Sequence, residues 1–341
     1  VYKRQVLSRN HPGSGPELSV SSIPAVDLGA FVNGDPAAQR RIATGVDAIC
    51  RNTGFLVLTN HGVPRSVIDD AWNACRSFFD QPLEEKMKAR SPNPGCPRGY
   101  FPMASEALAK SLGIDTPPDI KESFGVGPLQ GPDDGVPDDE YEFHYGDNLW
   151  PDRPENLQRV LTSYFDELHS LGSRVLTLFA AALELPHDYF ERFHSNPMCA
   201  LRCINYPAPL HDPLPEQRGA GVHADYGSIT ILKSDPVVPG LEVRMPGGQW
   251  VAAPLVDDAF IVNIGDMMAR WTNDRWVSTL HRVASSNKGQ RRQSMAFFHN
   301  TSFDAMIECI PTCHSDEAPK YAPVEAGQYL SDRFNAALET S

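Results

Sequence analysis

The sequence predicts a mainly β fold with flanking helices, and three features carry that prediction. After Pro186, short runs rich in β-branched and aromatic residues follow one another closely and are separated by Gly, Pro and Asn. This pattern is typical of antiparallel sandwiches and barrels. Before Pro186, apolar residues recur every three or four positions, which indicates amphipathic helices. The longest such stretch, 154–185, ends at that proline and is expected to form a helix that backs the sheet.

The N-terminal part is expected to alternate strands and helices. Asp35 before Pro36 is a typical helix start, because the carboxylate can cap free N–H groups and proline fits the first turn. In order, the predicted elements are an edge strand over 22–28, a helix over 35–52, a buried strand over 54–59 and a helix over 65–80.

Residues 91–149 differ from their surroundings because they are rich in Pro, Gly and Asp. The acidic stretch 131–140 lacks the apolar residues of a core and is interpreted as a solvated surface loop. Two pieces, 98–101 and 119–124, have strand-like sequences. Loops over a rigid scaffold often determine which substrate is bound, so this region is a candidate for that role.

The second half of the chain holds the predicted β core. Pro246, Gly247 and Gly248 form a hairpin turn signal between two of its strands. The predicted strands are 200–206, 228–232, 241–245, 250–253, 260–264, 276–283 and 293–299.

Net charge and cysteine usage exclude several classes of partner. The 341 residues carry a formal charge of −13, which opposes binding to nucleic acid or to an anionic membrane. No apolar run approaches the ~18 residues that span a bilayer. Seven cysteines without regular spacing are expected to be thiols of a reducing compartment, so a cytoplasmic protein is predicted. Cys309, Cys313 and His314 could form part of a zinc site, but without a second pair they are interpreted as a loop.

Two potential metal ligands stand at the start of a β-branched run. His223 and Asp225 are two positions apart, so in an extended strand their side chains point to the same face. A second histidine, His281, lies in a later strand-like run. Two imidazoles and one carboxylate form the facial triad that holds Fe(II) and leaves three coordination positions open. Alone, such a pair is more commonly a structural histidine beside an aspartate than a metal site.

A further pair predicts a site for a carboxylate. Arg292 and Ser294 are again two positions apart in a strand-like run and so share a face. A guanidinium offers a planar fork that matches two carboxylate oxygens, and a hydroxyl adds a donor. His299, at the end of the same run, is interpreted as an ordinary polar residue.

Together these elements resemble the isopenicillin N synthase-like branch of the Fe(II)/2-oxoglutarate-dependent dioxygenases, whose pattern is HxD, a distal His and then RxS. The resemblance extends from about Ile23 to about Phe334. It includes the stretches Gly54–Pro64, Asn205–Pro207, Pro239–Val243 and Asn263–Asp266.

The resemblance implies a double-stranded β-helix, or jelly-roll, core and an oxygenase that hydroxylates or desaturates a small molecule. Fe(II) would bind His223, Asp225 and His281, which would also be the catalytic residues. The cosubstrates would be O2 and 2-oxoglutarate, which yields succinate and CO2, and ascorbate is expected to stimulate turnover. The residues implied for 2-oxoglutarate are Arg292, Ser294, Tyr206 and Asn205.

Three residues are candidates for substrate binding. Arg202 lies at even spacing from Tyr206 and is expected either to bind a substrate carboxylate or to form a salt bridge at the rim of the barrel. Tyr100 and Phe298 are the other two candidates. The expected partner is a small molecule, and nothing in the sequence indicates an obligate protein partner.

The predicted organisation is an N-terminal extension and one catalytic domain built from three regions. Two alternatives stay open: an iron oxidase that uses no 2-oxoglutarate, as isopenicillin N synthase and aminocyclopropanecarboxylate oxidase do, and a non-catalytic jelly-roll binding protein. The predicted boundaries are 1–20 for the extension, 21–186 for a helical and strand region, 187–305 for the jelly-roll core and 306–341 for a C-terminal segment with a terminal helix.

Overall fold

The computed structural model describes residues 22–93, 95–208, 213–285, 289–314 and 318–339, and the predicted extension over 1–20 lies outside them. The described chain is mainly β with flanking helices, as expected. Its α-helices are α1 (Leu28–Val32), α2 (Pro36–Asn52), α3 (Arg65–Phe79), α4 (Leu83–Met87), α5 (Asp138–Tyr145), α6 (Leu157–Ala182), α7 (Asp266–Trp271) and α8 (Ala326–Glu339).

The strands form two main sheets and one short pair. They are β1 (Ala25–Asp27), β2 (Phe55–Thr59), β3 (Gly99–Phe101), β4 (Glu122–Val126), β5 (Ala200–Tyr206), β6 (Ala220–His223), β7 (Ile229–Ser234), β8 (Leu241–Arg244), β9 (Trp250–Ala252), β10 (Phe260–Ile264), β11 (His281–Val283), β12 (Arg292–His299), β13 (Met306–Ile307) and β14 (Val324–Glu325). The larger sheet has the order β1-β2-β10-β7-β12-β5-β4-β3, and the smaller has the order β6-β11-β8-β9.

Helices cover one face of the larger sheet. α2 begins where predicted, because the Asp35 carboxylate accepts hydrogen bonds from the N–H groups of Ala37 and Ala38. The apolar faces of α2, α3 and α6 enter one large core together with residues of β7 and β12, such as Ile231 and Phe297. Burial of these faces holds the helices on the sheet.

The other face of the larger sheet packs against the smaller sheet. A second, smaller apolar cluster joins Val57 and Ile261 of the larger sheet to Leu241 and Val243 of the smaller one. Side chains that point between the two sheets therefore come from β5, β7, β10 and β12 on one side and from β6, β8 and β11 on the other.

Most predicted elements are confirmed, with two corrections. Only the last three residues of the predicted strand 276–283 belong to a sheet, as β11, whereas the Val277 N–H donates to the carbonyl of Cys50 at the end of α2. The acidic stretch 131–140 is not entirely a loop, because α5 begins at Asp138. Carboxylates at 138–140 lie in the first turn of that helix, where the helix dipole favours negative charge. Among the described residues, none of the helices is both long enough and apolar enough to cross a bilayer.

Candidate active site

Three predicted ligands converge between the two sheets. His223 ends β6, His281 begins β11, and the two residues are direct cross-strand partners. Asp225 follows β6 by two residues, and its Oδ1 lies 4.0 Å from Nε2 of His223 and 3.7 Å from Nε2 of His281. All three ligand atoms lie within 4.8 Å of one another, which fits a common metal ion.

Backbone contacts select the tautomer of both histidines. Nδ1 of His223 lies 2.8 Å from the carbonyl oxygen of Gly221, and Nδ1 of His281 lies 3.1 Å from that of Thr279. Because a carbonyl oxygen can only accept, each Nδ1 carries the proton and donates. Each Nε2 therefore has its lone pair available towards Asp225 and towards a metal.

The carboxylate of Asp225 is oriented in the same way. Its Oδ2 accepts hydrogen bonds from Oγ1 of Thr230 at 2.6 Å and from Nδ2 of Asn263 at 2.7 Å, which leaves Oδ1 for the metal. Thr230 and Asn263 are direct partners on β7 and β10. The sequence analysis did not assign roles to them, although Asn263 lies in one of the stretches that carry the resemblance.

Burial and neighbouring charge keep these ligands in the protonation state that a metal requires. Burial lowers the pKa of His223 to about 3, with a further contribution from the nearby His281. Burial alone would raise the pKa of Asp225, but His281, His223 and the two hydrogen bonds hold it below its usual value. At neutral pH the site therefore presents a neutral His223 beside an ionised carboxylate.

Arg292 is the second feature of the site. It is 1% exposed, and its Nη2 donates to Oγ of Ser234 at 3.0 Å. Its Nε and Nη1 are buried and have no hydrogen-bond partner among the described residues. A buried cation with unused donors is costly unless an anion completes it, and a carboxylate is the common partner of a guanidinium. Gly240 permits the close approach, since a Cβ there would lie 3.0 Å from Nε of Arg292.

Tyr206 and Ser294 lie beside Arg292, as the sequence predicted. Tyr206 is the cross-strand partner of Arg292, and the guanidinium carbon lies 4.8 Å from the centre of the Tyr206 ring. Ser294 is buried, shares the face of Arg292 on β12 and pairs with Ser234 on β7. The structure thus brings a guanidinium, two serine hydroxyls and a phenol to one place.

Asn205 and Tyr100 are not at this site, which corrects two of the predictions. The Asn205 amide donates to Glu122 at 2.7 Å and accepts from Nε of Arg291 at 2.6 Å. The Tyr100 hydroxyl donates to the same Glu122 at 2.5 Å, and Tyr100 belongs to the core beneath the helices. Successive residues of a strand face opposite sides of the sheet. The side chains that point towards the site are therefore those of the next residues along each strand, Tyr206 and Phe101.

Arg202 lies on the inward face with charged neighbours. Its Nη2 donates to Glu106 at 2.6 Å, its guanidinium carbon lies 4.0 Å from the centre of the Phe101 ring, and Lys121 also contacts Glu106, at 3.2 Å. The predicted salt bridge therefore exists. However, Nη1 of Arg202 is buried without a partner among the described residues, so one donor remains available to a ligand.

Phe298 is partly buried and lies on the same face of β12 as Arg292, opposite Thr230 of β7. The Phe298 side chain therefore lies on the same face of the sheet as Thr230, which donates a hydrogen bond to Asp225. This position is compatible with the predicted substrate contact.

Two family models match the chain. Residues 23–153 match the model described as non-haem dioxygenase in morphine synthesis N-terminal, and residues 196–301 match the 2OG-Fe(II) oxygenase superfamily. The three metal ligands, Arg292 and Ser294 all fall in the second range.

Similar proteins share nearly the whole chain. The 2-oxoglutarate-Fe(II) type oxidoreductase hxnY of Emericella nidulans is 32% identical over 90% of this chain and 88% of its own. The structure of a full-length Neurospora crassa protein in complex with alpha-KG is 30% identical, with a TM-score of 0.81 over 93% of this chain and 97% of that one. The structure of JOX2 with 2OG, Fe and JA is 29% identical, with a TM-score of 0.74 over 92% of this chain and 85% of that one.

Proposed function

Since the chain belongs to the Fe(II)/2-oxoglutarate-dependent oxygenases of the isopenicillin N synthase-like family, we propose that its site residues act on a small molecule by hydroxylation or desaturation. The main support is Arg292, a buried guanidinium with two nitrogens that have no partner among the described residues, which suits the far carboxylate of 2-oxoglutarate. An iron oxidase without 2-oxoglutarate would need another carboxylate, such as one on its substrate, to pair with this cation.

The proposed metal ligands are His223, Asp225 and His281. When bound there, Fe(II) with 2-oxoglutarate and O2 supplies the oxidising chemistry, and the products include succinate and CO2. The chain contributes orientation: backbone carbonyls hold both imidazoles, and Thr230 and Asn263 hold the carboxylate. These contacts place the ligand atoms before the metal binds.

Arg292 is proposed to bind the C5 carboxylate of 2-oxoglutarate through its guanidinium, in which Nη1 is a donor without a partner among the described residues. Ser294 and Ser234 supply hydroxyl donors beside it, and Tyr206 limits the movement of the guanidinium from one side. A charge-assisted contact of this kind fixes the position of the far end of the cosubstrate. The pocket thereby distinguishes a dicarboxylate from a monocarboxylate.

The proposed substrate is a small molecule with an oxygen acceptor, either a carboxylate or a carbonyl, that reaches Nη1 of Arg202. Burial would raise the pKa of Glu106, but Arg202 and Lys121 lower it to about 2, so Glu106 stays ionised and holds Arg202 in place. Phe298 would contact the apolar part of the substrate. Ligands of similar proteins carry such acceptors: thymine in another structure of the Neurospora crassa protein and JA in the JOX2 structure.

Three broader features belong to the same proposal. The two packed antiparallel sheets support a double-stranded β-helix core. The family models match on either side of residue 186, which supports regions over 21–186, 187–305 and 306–341. The seven cysteines are free thiols, which supports a reducing compartment such as the cytoplasm.

An anaerobic titration tests the cosubstrate site. We expect 2-oxoglutarate to give a metal-to-ligand charge-transfer band with the Fe(II) protein. Loss of one partner of a buried charged pair costs about 2–5 kcal/mol, so Arg292→Ala should weaken 2-oxoglutarate binding roughly 30-fold to 3,000-fold. Arg292→Lys should recover only part, because ammonium keeps the charge without the fork.

Arg291→Ala is the matched control, because this neighbouring arginine faces the other side of the strand and contacts Asp80 and Asn205. It should bind 2-oxoglutarate as the wild type does. No band in the wild type at any concentration would favour the iron oxidase instead. Equal binding by Arg292→Ala and wild type would remove Arg292 from the site.

The substrate class is tested by comparing compounds that carry a carboxylate or a carbonyl with matched hydrocarbons that carry neither, in a screen that measures succinate. Compounds with an oxygen acceptor should stimulate succinate formation above the uncoupled rate. Stimulation only by compounds that lack such an acceptor would contradict the role of Arg202.

A further inference from the structure

A second group of metal-binding side chains lies on the opposite face of β12. Arg292, Ser294 and Phe298 point between the sheets, whereas Phe297 and His299 point towards α6, where Phe297 packs on Phe165. His299 is fully buried there. This group is therefore separated from the iron site by the sheet itself.

Three different parts of the chain meet at His299. The ligand atoms of His169 on α6, Cys199 just before β5 and His299 lie within 4.8 Å of one another. The His299 ring stacks between those of His169 and His194, with centroids 5.3 Å and 5.0 Å apart. α6 approaches closely because Gly172 faces the ring, and a Cβ at Gly172 would lie 2.2 Å from Cδ2 of His299.

Two imidazoles of this group have buried nitrogen atoms that lack a well-formed hydrogen bond within the described chain, although backbone groups of His169 and Asn300 lie near His299 and Cys199. Neither ring nitrogen of His299 has a hydrogen-bond partner among the described residues. Nδ1 of His194 lies 2.8 Å from the carbonyl of Phe190, so it donates there, and the buried Nε2 carries a lone pair that is also unpartnered within the described part of the chain. Buried polar groups are normally paired, so unused lone pairs from neighbouring imidazoles point to an absent ligand.

We propose that His169, Cys199 and His299 form a second metal site, selective for Zn²⁺, with His194 as the candidate fourth ligand. Imidazole and thiolate are the ligands that Zn²⁺ prefers, in tetrahedral sets of four. Zn–N and Zn–S distances of roughly 2.0–2.3 Å require the ligand atoms to draw together by about 1 Å, which side-chain rotation can supply. Binding would release the thiol proton of Cys199 to solvent.

Such a site would have a structural role that does not rest on the proposed function. It would join α6 to the ends of β5 and β12, on the helix-covered side of the larger sheet. His169 is partly exposed, which gives the metal a path of entry from solvent.

Cobalt(II) distinguishes this site from the iron site. The triad of His223, Asp225 and His281 contains no sulfur, so a thiolate-to-Co(II) charge-transfer band reports only a cysteine-containing site. We expect the band in the iron-free full chain and in His223→Ala. It should disappear in Cys199→Ser and require at least about tenfold more Co²⁺ in His169→Asn, a change at a partly exposed residue.

Cys313→Ser is the control, because Cys309, Cys313 and His314 offer another thiol source, and this variant should keep the band. Zn²⁺ should raise the thermal midpoint of His223→Ala but not that of the double variant His223→Ala with Cys199→Ser. No band in the wild type, or a full band in Cys199→Ser, would overturn the proposal. Either result leaves the anaerobic 2-oxoglutarate titration unaffected.

Discussion

Each proposed iron ligand has two atoms that could bind a metal, and a hydrogen bond from or to the protein occupies one of them. Carbonyl oxygens accept from Nδ1 of His223 and of His281, and two side chains donate to Oδ2 of Asp225. The remaining atoms, two Nε2 and one Oδ1, face one another. The orientation of the metal-binding atoms thus depends on these hydrogen bonds as much as on the identity of the ligands.

Removal of the hydrogen bonds to Asp225 should weaken iron binding. Asn263→Ala and Thr230→Val each take away one donor to Asp225, so the carboxylate can rotate, and we expect iron affinity to fall about 10-fold to 100-fold in each variant. Fe(II) titration measured by succinate formation gives the affinity. The exposed Asn52→Ala, which removes an amide contact within α2, is the control and should not change it. Wild-type iron affinity in both variants would show that Asp225 holds its orientation without them.

The convergence of the predicted metal ligands could be anticipated from the sequence in part because the spacing of His223 and Asp225 is local. His223 and Asp225 needed only the two-residue period of an extended chain, and Arg292 and Ser294 needed the same. Thr230 and Asn263 could not be assigned, because their role depends on β7 pairing with β10, which no local pattern records.

At the scale of an element, each strand presents two faces. A prediction that is wrong by one residue therefore assigns a side chain to the opposite face of the sheet. Asn205 and Tyr100 were predicted for the site but lie on the helix-covered face with Glu122. Asn205 and Tyr206 at the end of β5 are both buried, and so are Gly99 and Tyr100 of β3, so burial does not alternate at these positions and the sequence gave no signal for the register. The helices were predicted more closely, because their apolar spacing marks one face only.

The close approach of α6 to β12 makes a prediction about two helical glycines. At Gly172 a Cβ would collide with the buried His299 ring, whereas at Gly45 on α2 nothing lies within 4 Å. Gly172→Ala should therefore destabilise the protein by about 1–3 kcal/mol through overpacking. Gly45→Ala should stabilise it by about 0.5–1 kcal/mol, because alanine restricts the unfolded chain. Urea unfolding measures both, and a stabilised Gly172→Ala would show that α6 moves freely away from the sheet.

At the scale of the whole molecule, buried histidines make stability depend on pH. Burial and the nearby Arg98 lower the pKa of His144 to about 3, and burial lowers the pKa of His194 to about 4. The unfolded chain takes up these protons near pH 6.5, whereas the folded chain does so only at much lower pH. Stability is therefore complete above about pH 6.5 and falls as the pH drops below it.

Urea unfolding in the presence of a chelator should show this loss between pH 7.5 and pH 5.5. Each such histidine contributes roughly 1 kcal/mol over that interval, so His144→Gln should reduce the difference by about that amount. His187→Gln is the control, because His187 is exposed, and it should leave the difference unchanged. A pH difference that is the same in His144→Gln as in wild type would mean that His144 becomes protonated in the folded protein.

The position of the site between the sheets gives the bound groups a mechanical role. His223 and His281 belong to the smaller sheet, whereas Arg292 and Tyr206 belong to the larger one, which also holds the Asp225 carboxylate. Two small apolar clusters, far smaller than the core under the helices, also join the two layers. Iron and 2-oxoglutarate would hold the two sheets together, because iron would contact residues that belong to, or are held by, both sheets, and 2-oxoglutarate would contact Arg292 of the larger one. A chelator would then do more than stop turnover: it would let the four-stranded layer open first and expose it to proteases while the helix-covered layer stays folded.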